Sequence, residues 1–124
     1  MSIATFEMIL NQAKKMDCFQ IALGGGNPNQ HPDFCELLKL SRINHGIVPS
    51  YTTSGRGLTK DVLEATLNYC GSVAVSYYSD TEVENSIKIL NSVGIKPNIH
   101  FFLDSKSIIK QSNSLKIRLV ILKE

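Results

Sequence analysis

Few residues of this chain can do chemistry, and they are scattered. His31, His45 and His100 stand too far apart for paired metal ligands. Cys18, Cys35 and Cys70 are odd in number and widely spaced. They form neither a disulfide framework nor a zinc motif, and read as reduced thiols packed in a cytosolic protein. No serine triad or P-loop is present, and Gly24-Gly25-Gly26 lacks the spacing of a dinucleotide fingerprint. The chemistry that remains is ligand capture by backbone. In Ile21-Ala22-Leu23-Gly24-Gly25-Gly26-Asn27-Pro28 an apolar run meets three glycines. These let the main chain adopt positive φ and approach a ligand, and they serve equally well as an ordinary turn. Pro28 and Pro32 stiffen the loop, and Asp33 offers a cap for a helix starting near Phe34. His31 faces a ligand or braces this loop; His45, at a helix end, is a partner for the helix dipole. His100 contacts a ligand or is a hydrogen-bonded core histidine.

The elements that position these residues follow from periodicity. A first helix over 2–16 places Ile3, Phe6, Ile9, Leu10, Ala13 and Met16 on one buried face, with Ser2 as its cap and Lys14 and Lys15 near its C-terminus. A buried strand over 18–23 runs into the glycine loop. A helix over 33–45 turns Phe34, Leu37 and Leu38 inward and ends at Gly46. A strand over 47–53 follows, its start irregular because Pro49 fits poorly in a central strand. Thr59 caps a helix reaching Cys70, and a strand occupies 72–77. Ser79-Asp80-Thr81-Glu82 has the capping-box spacing before a helix that packs through Val83, Ile87, Leu90 and Val93. A fourth strand spans 98–103, and the apolar run 117–122 is a fifth strand, an antiparallel strand or an undocked segment. Strands alternating with helices predict crossovers building a parallel sheet.

The totals describe one α/β domain. The 124 residues carry 43% hydrophobic and 19% charged side chains, an ordinary globular balance. A net charge of +2 is too small to point to nucleic acid or an acidic membrane surface. The basic residues gathered after position 104 read as a solvated surface. With no run long enough to span a membrane and no signal pattern, the expectation is a soluble, cytoplasmic protein. In parallel α/β folds ligands bind beyond the carboxyl ends of the strands. The loops at 24–30, 53–56, 76–79 and 102–105 therefore share one face, rich in small polar residues that suit a ligand shelf or plain turns.

These segments resemble the radical S-adenosylmethionine (SAM) superfamily. The resemblance rests on Leu23-Gly24-Gly25-Gly26-Asn27-Pro28, His31-Pro32-Asp33-Phe34 with Leu37-Leu38, Tyr51-Thr52-Thr53-Ser54-Gly55 and Val73-Ala74-Val75-Ser76, in the family's order, over about residues 18–103. It implies a partial parallel (β/α) barrel of about four to five βα units. It also implies SAM and a [4Fe-4S] cluster as cofactors, with radical chemistry as the activity. By this resemblance Gly25, Gly26, Asn27 and Pro28 hold the methionyl amino group of SAM. Ser76 lies near the ribose and Thr53, Ser54 and Gly55 line the neighbouring strand end; His100, if it faces a barrel interior, joins the cofactor-binding residues.

Two departures qualify the resemblance. Asn27 stands where the family carries a carboxylate, so the charge-assisted part of a bond to an ammonium is lost, about 1 kcal/mol or more. The cluster-binding CxxxCxxC is absent, and the three cysteines cannot replace closely placed thiolates in one loop. The chain thus reads as the middle of a radical SAM domain, not competent in radical chemistry by itself. The alternatives are a non-catalytic binding module and an inactive fragment. Without the barrel's first strand, the 18–23 strand would lie at an open edge, which predicts marginal stability alone or pairing with a partner chain that completes the barrel.

Overall fold

A computed structural model describes residues 1–101. The loop at 102–105 and the apolar run at 117–122 lie outside the described residues. Helix α1 (Ile3–Lys15) begins where the Ser2 hydroxyl accepts the Thr5 N–H, as expected of that cap. Strand β1 (Gln20–Leu23) leads through the glycine loop and a 3-10 turn (Pro28–Gln30) to α2 (Phe34–Lys39). Then follow β2 (Val48–Thr53), α3 (Lys60–Tyr69), β3 (Ser72–Ser76), α4 (Asp80–Ser92) and β4 (Asn98–His100). Thr59 caps α3 through the Val62 N–H and Ser79 caps α4 through the Glu82 N–H.

The four strands form one parallel sheet in the order β1-β2-β3-β4, as the alternation of strands and helices predicts. It is an open sheet among the described residues and does not close into a barrel. Its core divides into two joined clusters. Phe34, Leu38, Val62, Ala65, Val83 and Leu90 from α2, α3 and α4 close on Tyr51, Val73 and Val75. Phe6 and Leu10 of α1 pack with Leu37 and Ile47 against Ile21 and Leu23. All four helices therefore cover the same face of the sheet. Side chains alternate along a strand, so Ala22, Ser50, Thr52, Ala74, Ser76 and His100 belong to the other face.

Several expectations need correction. The first strand is not buried: Gln20 and Ala22 are exposed, Ile21 and Leu23 half-buried, and Phe19 is 72% exposed. Among the described residues it lies at the open edge expected of it, paired on one side only, so its apolar composition does not translate into burial. The helix over 33–45 is α-helical only to Lys39 and continues as a π-helical turn (Leu40–Asn44). Within that turn Ser41 bonds Ile47 twice, its carbonyl accepting the Ile47 N–H and its hydroxyl donating to the Ile47 carbonyl, which draws the chain into β2. Asp33 occupies the cap position of α2 without a side-chain cap bond. Pro49 is an ordinary member of β2: the preceding Val48 N–H points to Phe19, just before β1, so the ring nitrogen of Pro49 faces the β3 side. Pairing with β3 starts one residue later, at Ser50, and no ladder donor is missed.

Candidate functional site

The loops at the carboxyl ends of β1 and β2 are joined by a compact polar network. Thr53, the last residue of β2, is 1% exposed, and its hydroxyl lies 2.9 Å from Asn27 Oδ1 and 2.7 Å from Asn29 Oδ1. Its single proton goes to one of these oxygens at a time. The same hydroxyl accepts the Gly55 N–H at 3.0 Å. Asn27 Oδ1 also accepts the Ser54 N–H, and both carboxamide nitrogens, of Asn27 and Asn29, donate to the Arg56 carbonyl at 2.8 and 2.7 Å. Asn29, 4% exposed, is thus a buried polar residue with its side chain fully partnered.

This network decides what the sequence-derived site residues can do. The carboxamide of Asn27 is spent on the β2 loop, so a ligand at this loop meets backbone rather than that side chain. Thr53 lies beneath the loop as its anchor, and Ser54 stands half-buried at the rim. Gly24, Gly25 and Gly26 are exposed, and Gly25 and Gly26 have φ of +83° and +59°. A Cβ at any of the three would meet no atom within 4 Å, so their peptide groups are open to contact. Pro28 starts the 3-10 turn that follows. His31 braces the loop: its Nδ1 accepts the Asp33 N–H at 3.0 Å, and its Nε2 lies 2.8 Å from the Met1 carbonyl oxygen.

Ser76 and His100 come together at the far side of the same face, paired in register at the ends of β3 and β4. Ser76 is half-buried and His100 exposed, so His100 is not a core histidine. The described strand ends therefore carry the candidate residues in two groups, the glycine loop with Thr53 and Ser54, and Ser76 with His100. The polar network around Asn29 escaped the sequence reading. Asn29 was simply one polar residue in a polar loop, and only its burial shows that it has work to do.

The cysteines do not fit a metal cluster. Cys18 precedes β1, Cys35 sits in α2 and Cys70 caps α3, and among the described residues no three His, Cys, Asp or Glu side chains group to hold a metal ion. Burial pushes the Cys70 thiol up to about 12 and raises that of Cys35, opposite to the shift a ligating thiolate requires. No described helix is long and apolar enough to cross a membrane. No family model matches the chain, and no curated protein matches it.

Proposed function

We propose that this chain is a radical SAM-like half-barrel that binds SAM at the carboxyl ends of β1–β3 without running radical chemistry by itself. The observation that carries the reading is topological. A parallel sheet in sequential strand order, with every helix on one face, is the arrangement of an arc of a (β/α) barrel, and the glycine loop lies at the end where such folds bind ligands. The ligand's amino group is held by the exposed peptide groups of Gly25 and Gly26, which have positive φ and open space around them. Asn27 and Pro28 set the loop's shape, with Asn27 acting through its bonds to Thr53, Ser54 and Arg56. Ser76 and His100 lie on the side of the ribose and adenine. In a complete barrel the cluster ligands would be residues other than Cys18, Cys35 and Cys70, and a partner chain is one source of them.

A second reading is favoured by that same lack of fit: a non-catalytic module that keeps the glycine-rich shelf for a nucleotide-like ligand. Iron content separates the two, since tight stoichiometric iron after anaerobic reconstitution supports cluster chemistry and its absence supports the module. Isothermal titration with SAM tests the shelf itself. Gly26→Val places a β-branched residue at φ +59° and abolishes binding, whereas Gly24→Ala, with open space at Cβ and no positive φ, preserves it. Unchanged binding by Gly26→Val would remove the loop from the site.

A further inference from the structure

The outer edge of β1 supports an inference that needs no bound ligand, although the cavity beside it is lined in part by Gly24, Gly25 and Pro28 of the glycine loop. The Val48 N–H donates to the Phe19 carbonyl, which fixes the parity of the strand. Phe19, Ile21 and Leu23 direct their backbone groups to β2, so Gln20 and Ala22 direct theirs outward, where no strand lies among the described residues. Nothing protects this edge: from Cys18 to Pro32 there is no Lys, Arg, Asp or Glu, and β1 contains no proline. An apolar patch adjoins it. Met1 (66%), Ile9 (41%), Met16 (72%) and Phe19 (72%) are exposed. Met1 and Ile9 line a cavity of about 430 Å³ together with Ile21 and Leu23. The opposite flank of α1 is the one occupied elsewhere, with Glu7 beside His45 and Lys14 bonded to the His45 carbonyl.

We infer that β1 is a self-association edge, pairing antiparallel with β1 of a second copy about a two-fold axis through Ile21. In that register Gln20 of each copy and Ala22 of the other exchange both backbone hydrogen bonds, and Phe19 of one lies opposite Leu23 of the other, at the mouth of the cavity. A two-fold axis normal to the sheet keeps both helical layers on one side and sets the two Ile9–Met16 flanks of α1 against each other. Three observations select a second copy as the occupant. The uncharged edge brings no like charges together on self-pairing. The register is self-complementary, as an isologous contact requires. The four exposed side chains offer on the order of 500 Å² per copy before the backbone edge and cavity lining are counted, approaching the ~800 Å² per partner of a stable interface.

The test is sedimentation velocity on the full chain from about 1 to 100 μM, where micromolar association is visible. The native protein should form a discrete dimer. Ala22→Pro removes an outward N–H while leaving the β1–β2 ladder intact, and Phe19→Lys places a charge in the patch. Each should weaken the dimer about tenfold or more, with the circular dichroism of the native fold retained. If Ala22→Pro does not fold, Phe19→Lys decides alone. A native monomer at the highest concentration, open-ended higher oligomers, or a dimer insensitive to Phe19→Lys would each overturn the assignment.

Discussion

Replacing Thr53 by valine removes one hydroxyl and almost no volume, so it isolates the polar network that ties the glycine loop to β2. Three groups lose their contact with that hydroxyl, and two of them have no other partner. The proton shared between Asn27 Oδ1 and Asn29 Oδ1 disappears, and the Gly55 N–H loses its acceptor. Asn27 Oδ1 keeps the Ser54 N–H, but Asn29 Oδ1, on a side chain 4% exposed, has no other protein donor. Leaving a buried polar atom unsatisfied costs about 1–3 kcal/mol, and the half-buried Gly55 amide adds a smaller cost as water partly reaches it. The expected loss is about 2–3 kcal/mol, a drop in Tm of roughly 8–12 °C for a domain of this size. Thr53→Ser is the control: it keeps every hydrogen bond and gives up a methyl group, about 1 kcal/mol. Thermal unfolding followed by circular dichroism measures both. Amide exchange at Ser54 and Gly55 should also accelerate in Thr53→Val and stay near native in Thr53→Ser. If valine is tolerated as well as serine, the network does not hold the loops together, and the positioning of the glycine shelf needs another cause.

Other perturbations follow from the same packing. A Cβ at Gly55 would lie 1.9 Å from Ser86 Oγ at a φ of +90°, so Gly55→Ala should cost about 2 kcal/mol or more, while Gly24→Ala leaves chemical denaturation within about 0.5 kcal/mol of native. Burial pushes the Tyr51 hydroxyl up to about 12 from 10.0 and the Cys70 thiol up to about 12 from 9.0. Both groups favour the neutral form in the folded state. Their contribution is complete below pH 9 and is lost as pH rises, from 9 for the thiol and 10 for the phenol, toward 12. Urea titrations at pH 8 and pH 11 should therefore show the protein weaker at pH 11, and Tyr51→Phe should shrink the pH 10–12 part of that difference. Alkylation of Cys70 in the native state at pH 8.5 should be slower than in the unfolded chain by on the order of 100-fold or more, read by mass spectrometry.

The elements were legible where local chemistry and burial agree. Ser2, Thr59 and Ser79 each cap the helix that their position announces, and the apolar spacing of Val83, Ile87 and Leu90 places α4 correctly against the sheet. The edge position of the first strand is as expected, but its burial is not, because Ile21, Ala22 and Leu23 have the composition of a central parallel strand. Composition reports what a segment would gain by burial; it does not report whether a neighbour exists to bury it. The π-helical turn was invisible for a different reason. It depends on Ser41 reaching Ile47 across the helix end, a contact no periodicity encodes. The glycine loop was only half legible. Glycines at 24–26 announce an open, flexible loop, but the direction in which Asn27 points is set by Thr53, 26 residues away in sequence.

The central claim is that the exposed glycine loop and the ends of β2 and β3 form one SAM-binding shelf. The most direct measurement is a titration of the isotopically labelled protein with SAM, followed by backbone amide chemical shifts. Saturable shifts are expected at Gly24, Gly25, Gly26, Ser54 and Ser76, with the helix-packed residues Val73 and Leu90 unmoved. A folded protein showing no shifts, or shifts gathered instead around Gly71 and Gly94 at the opposite end of the strands, would contradict it.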